Sequence, residues 1–114
     1  MVTAPVDRRA LREDALDLER RYSDAFKERG GDLQIRPTIA TTFGTRSIEL
    51  VASVQWNDAR FYDHAHIEVS RRRSFSRQWV GLRSPDQTLR EVEEQLQRWL
   101  SSAPPDPEGA QPGS

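Results

Sequence analysis

His64 and His66 are the only histidines of the chain, and they stand two residues apart in a segment that sorts into two faces. Phe61, Ala65, Ile67 and Val69 fall on one side, and Tyr62, His64, His66 and Glu68 on the other. Alternation with a period of two describes a half-buried strand, so both imidazoles project from the same exposed face. They are also the only side chains here that ordinarily titrate near neutral pH. A zinc site built on them needs at least a third ligand. The nearest candidates, Glu49 and Glu68, both fall beside His66 rather than between the rings, and the chain has no cysteine. No metal and no cofactor is therefore expected.

Catalysis meets similar obstacles. Asp63, His64 and Ser53 are the residue types of an orienter, a base and a nucleophile. The pleat, however, sends Asp63 to the face opposite His64 and breaks the chain of hydrogen bonds. Glu49 and Glu68 are a possible acid and base pair, but water screens them on an open sheet. Gly30 and Gly31 follow a helix instead of opening one, so they are no phosphate loop. The reading is a protein that is not an enzyme, with no catalytic residue and no small-molecule substrate.

The remaining chemistry is recognition. Arg71, Arg72 and Arg73 lie between Ser70 and Ser74, with Phe75, Arg77 and Trp79 just beyond. Cations for phosphates and aromatic planes for stacking make up a single-stranded nucleic-acid site, with Arg71, Arg72, Arg73 and Arg77 as its contacts. Three charges on a turn also simply keep a hairpin tip solvated. A formal net charge of -1 is unlike most nucleic-acid domains, which are clearly basic. That charge is unevenly placed, with eight arginines against four acids from residue 33 to 83, and two against six from residue 84 onward.

The reading preferred from sequence is a small non-catalytic protein-binding module of the adaptor, accessory or immunity type. Its contact surface is the open face of a sheet, carrying Val51, Tyr62, His64, His66, Phe75, Arg77 and Trp79. Aromatics mixed with arginine are the usual composition of interface hot spots. Self-association as a homodimer is one way to cover such a face.

These residues need a scaffold, and the periodicity supplies one. Asp7 caps a helix running to about Arg29, with Leu11, Ala15, Leu18, Tyr22 and Phe26 at three- and four-residue spacing, ended by Gly30 and Gly31. A second helix follows Ser84 and Pro85, with Leu89, Val92, Leu96, Trp99 and Leu100 as its stripe. Four strands lie between them. With residues 57–60 as a turn, Trp56 meets Phe61, Ala52 meets Ala65, Leu50 meets Ile67 and Ile48 meets Val69. Asp63 then falls opposite Val54 on the apolar side and requires a donor. The preceding strand, residues 33–43, carries Leu33, Ile35, Ile39 and Phe43 inward. A type II′ turn at Gly44 and Thr45 sets Ile39 against Leu50. Pro37 marks that strand as an edge. The fourth strand, residues 74–82, has two registers: Val80 and Leu82 point inward or, with the turn around Arg71, Arg72 and Arg73 one residue different, Phe75 and Trp79 do. The first is preferred, because turning Phe75 and Trp79 inward carries Arg77 with them.

The expected fold class is α+β: two layers in the order α-β-β-β-β-α, a four-stranded antiparallel sheet with both helices on one face. Residues 7–102 form the domain, residues 1–6 a flexible N-terminus, and residues 103–114 a disordered tail rich in proline and glycine. Absence of cysteine, of a signal peptide and of a long apolar run makes a soluble cytoplasmic protein the expectation.

Overall fold

The computed structural model describes residues 7–102 apart from Ala59, Ser74 and Ser76; the expected terminal tails lie outside the described residues. The element order is α1 (Arg8–Glu28), β1 (Gly31–Thr42), β2 (Thr45–Trp56), β3 (Tyr62–Arg73), β4 (Val80–Gly81) and α2 (Pro85–Ser101). The strands form one antiparallel sheet in the order β1-β2-β3-β4, and the helices cover one face of it. This is the α+β arrangement read from sequence. No described helix is long and apolar enough to cross a membrane.

Both helices start on the expected signals, and α1 also stops on its expected signal. Asp7 accepts hydrogen bonds from the Arg9 and Ala10 amides at 3.0 and 3.2 Å, satisfying donors that the first helical turn leaves open. The helix ends before Gly30, whose φ of 82° suits a residue without a Cβ. Ser84 accepts from the Gln87 amide at 3.1 Å, with Pro85 in the first position of α2. Leu11, Ala15, Leu18 and Phe26 of α1 and Val92, Leu96 and Trp99 of α2 bury against Leu33, Ile35, Ile48, Leu50, Ala52, Val54, Trp56 and Val69. Tyr22 ties the helices together, donating to Glu93 Oε2 at 2.6 Å and accepting from Gln97 at 3.1 Å.

Between β2 and β3 the register matches expectation from Gln55 opposite Tyr62 to Glu49 opposite Glu68. Asp63 finds its donor on the apolar side: Trp56 Nε1 hydrogen-bonds to Asp63 Oδ2 at 2.7 Å. Pro37 does lie in an edge strand. Nearby, Glu19 of α1 accepts from the outward Ile35 amide at 2.8 Å and pairs with Arg36, so a side chain takes up one edge donor.

Three local features differ from the sequence reading. The β1–β2 turn is Phe43-Gly44 rather than Gly44-Thr45, closing Thr42 against Thr45 and pairing Ile39 with Ile48. Both turn residues have positive φ, 46° and 77°, the requirement of a type I′ turn that matches strand twist. A two-residue shift keeps the faces of β1 but removes Phe43 from the apolar side altogether. Second, a bulge interrupts β3, so that Ile48 pairs with Ser70 instead of Val69. Val69 and Ser70 are both fully buried. Without that extra residue Arg71 would point to the apolar side; with it, Arg71 emerges beside Glu68.

Third, the last strand is only Val80–Gly81, pairing with Arg71 and Ser70. Because the bulge reverses parity, Val80 and Leu82 are about half exposed, and Trp79 packs against the core cluster. Arg83 secures this junction. Its guanidinium donates to the Glu68 carbonyl at 2.8 Å and to Glu91 of α2 at 2.6 Å.

Candidate functional site

On the open sheet face the alternation of β3 places Tyr62, His64 and His66 in a row. Ring centroids are 5.5 Å apart for the first pair and 5.2 Å for the second. Glu49 reaches across from β2 to His66 Nδ1 at 2.9 Å and accepts a longer hydrogen bond, 3.4 Å, from the Ser47 hydroxyl. Glu68 holds Arg71 at 2.8 Å, and Val51 is half-buried among them. Among the described residues no three histidines or carboxylates come together to hold a metal ion. Asp63, engaged with Trp56, is turned away from His64, as the pleat requires.

The seven residues expected on that face do not all reach it. Val51, Tyr62, His64 and His66 do. Trp79 is half-buried on the helix side instead, for the parity reason given above. Phe75 and Arg77 are exposed in the segment between β3 and β4, outside any strand.

What assembles instead lies at the end of the sheet. Arg72 stacks on the Trp79 ring at 4.8 Å, and Arg73 lies 6.0 Å from the Phe75 ring centroid. Arg71, Arg72, Arg73, Phe75, Val80 and Leu82 line a depression of about 310 Å³. Across the ladder Arg46 faces Arg72, and Thr45 faces Arg73. One step beyond Thr45 is the hairpin tip, where Phe43 is wholly exposed. Of the guanidinium groups at this end (Arg46, Arg71, Arg72, Arg73 and Arg77), Arg71 alone has a carboxylate partner among the described residues. Exposed Ile39, Phe43, Phe75, Val80 and Leu82 thus share one end of the molecule with unneutralised cations.

Phe43 and Arg46 are the members that the sequence reading overlooked. A Phe-Gly pair ahead of a strand was the signal for a tip aromatic, and the choice between Gly44-Thr45 and Phe43-Gly44 decided it. A second basic depression, of about 380 Å³, lies between the start of α1 and β1 and is lined by Arg8, Arg9, Arg12, Arg36 and Pro37. There Arg36 is already held by Glu19.

The pronounced pKa shifts lie away from both surfaces. Hydrogen bonds from the Arg60 side chain and amide lower the Asp58 carboxyl to about 2 in the β2–β3 turn. Burial, then the hydrogen bond to Glu93, raises the Tyr22 phenol above its ordinary value. Comparison of the chain with protein-family models, with curated proteins and with solved structures gives no match.

Proposed function

We propose that this chain is a non-catalytic protein-binding module whose contact surface is the arginine-rich, apolar end of its sheet, with an acidic segment bearing aliphatic side chains as its partner. The observation that carries this is Phe43. Its ring is wholly exposed at the hairpin tip while its backbone is held at a φ of 46°. For an ordinary side chain that conformation is costly, and asparagine or glycine is the usual occupant. A bulky apolar group kept in a strained, solvent-facing position fits a residue that gains its return on binding. The arginines beside it supply attraction for carboxylates, and Val80 and Leu82 supply an apolar floor. The cytoplasm is the compartment proposed for this activity.

The row of arginines, of which Arg71 alone has a carboxylate partner among the described residues, also favours a second reading, in which the same end binds single-stranded nucleic acid through Arg71, Arg72, Arg73 and Arg77. Against it, the Trp79 ring is half-buried and already carries Arg72, which closes that ring to a stacking base. Fluorescence anisotropy separates the two. The probes are a labelled peptide alternating glutamate and leucine, one alternating glutamate and serine, and a single-stranded oligothymidylate of equal charge. The protein reading expects the glutamate-leucine peptide to bind best, and to weaken at least about tenfold when Arg71, Arg72 and Arg73 become alanine in a chain that keeps its circular dichroism. Tightest binding to the oligonucleotide transfers the site to nucleic acid. Binding of none of the three at low salt ends both readings.

A further inference from the structure

The sheet has two edges, and they are treated differently. On β1, Glu19 takes up the Ile35 amide and Pro37 offers no amide at all. On the other side β4 pairs only with Ser70 and Arg71, so β3 from Tyr62 to Glu68 has no strand beside it among the described residues. The phase of the ladder shows which groups face outward. Trp56 donates to the Phe61 carbonyl, which places the odd-numbered residues of β3 as far as Ile67 toward β2. Consistently, the Glu68 carbonyl points out and is taken by Arg83. Amides and carbonyls of Tyr62, His64 and His66 therefore face away from the sheet. Next to them, a groove of about 450 Å³ separates the strand from α2, with Ala65 and Ile67 on one wall and Glu91, Glu94 and Arg98 on the other.

We propose that this edge is where a second copy of the chain docks, β3 against β3 in antiparallel register about Ala65, joining two sheets into one. The unpaired segment is centred on Ala65, so this register uses its full length and stops where Arg83 already occupies the Glu68 carbonyl. His64 pairs with His66 of the second copy, and His66 with His64. With the Glu68 amides donating to Tyr62, about six main-chain hydrogen bonds form. Small Ala65 side chains meet at the twofold axis on the helix side and set no steric bar to the pairing. The helix wall of the groove gives the second reason for a like partner. Along α2 Glu94 precedes the base Arg98, while Glu91 is held by Arg83, and an antiparallel copy inverts that order, bringing the Glu94 carboxylate of each copy toward the guanidinium of the other. The groove keeps α2 clear of the edge and gives the approaching strand room. This association is independent of the arginine-rich end, which stays exposed at both extremities.

Multi-angle light scattering of the full chain at about 100 µM should give a particle of twice the chain mass. His64→Pro removes an outward amide at a position equivalent in phase to Pro37 on the opposite edge. Ala65→Glu sets two carboxylates face to face across the axis. Each should weaken the dimer by more than about tenfold, while far-ultraviolet circular dichroism stays that of the parent. In the unmodified protein, hydrogen exchange at the His64 and His66 amides should slow as concentration rises, which gives a readout that depends on neither variant folding. A monomer at about 100 µM overturns the proposal. So does a dimer that survives both substitutions, or one whose formation leaves exchange at these two amides unchanged.

Discussion

Replacing Asp63 with alanine isolates a polar contact that reaches into the core. Trp56 is 3% exposed and its indole nitrogen donates to Asp63 at 2.7 Å. A hydrogen bond to a charged acceptor contributes ~1.5–3 kcal/mol, and its loss leaves a buried donor with no partner. Asp63→Ala should therefore cost ~2 kcal/mol. At ~4–8 °C per kcal/mol for a domain of about this size, Tm should fall by ~8–16 °C. Asp63→Asn keeps an oxygen acceptor in place and should cost less than ~1 kcal/mol. The decisive assay is a double-mutant cycle by urea denaturation, with Trp56→Phe as the second change. Packing lost with the indole, including its tilted contact with Phe26 at 5.8 Å, cancels in the cycle. Without the donor, Asp63→Ala should cost less than ~0.5 kcal/mol. Equal costs in both backgrounds would show that Asp63 stabilises the fold by some other route and would refute the reasoning.

Phe43→Asn should raise stability by ~0.5–1 kcal/mol in thermal denaturation, because asparagine accepts the left-handed turn position, and it should weaken peptide binding by the sheet end. Arg83→Met removes the bonds to the Glu68 carbonyl and to Glu91 while keeping an apolar stem. It should cost ~1–2 kcal/mol and speed hydrogen exchange at the Leu82 amide, which donates to Val69. Asp58 has its carboxyl lowered to about 2, so its stabilising effect is complete above the unfolded carboxyl value and is lost as pH falls toward about 2. In Asp58→Asn, urea midpoints between about pH 5 and about pH 2.5 should decline less than in the parent.

Most of the scaffold follows from rules that act over a few residues. Asp7, Gly30, Ser84 and Pro85 each satisfy a helix end, and the apolar stripes of α1 and α2 leave the helices only one side of the sheet to cover. The β2–β3 ladder was legible because apolar residues face one another from Trp56 to Leu50, and Asp63 was legible as a group in need of a donor. Parity beyond Glu68 was not. A single inserted residue at Val69 reverses every later side chain, and no local propensity distinguishes Val69-Ser70 as a bulge from two regular strand positions. The Glu68 carbonyl at the bulge is held by Arg83, fourteen residues downstream of Val69, and beyond the bulge the parity is reversed. Trp79 went to the core and Val80 to the surface for that reason. The arginine row was visible as composition. Its company with Phe43 was hidden, because which two residues make the turn depends on the pairing of Ile39 with Ile48 rather than on the turn residues alone.

Site-specific photocrosslinking tests the binding surface most directly. Photoreactive benzoylphenylalanine is placed at Phe43 in one protein and at His64 in another, and both are irradiated in cells. Position 43 should form a discrete protein adduct, mapped by mass spectrometry to an acidic segment with aliphatic residues, and lose it when Arg71, Arg72 and Arg73 are alanine. Position 64 should at most link to a second copy of the chain. An adduct at position 43 with nucleic acid, an adduct unaffected by the arginine changes, or a foreign protein captured only from position 64 would contradict the assignment of function to the sheet end.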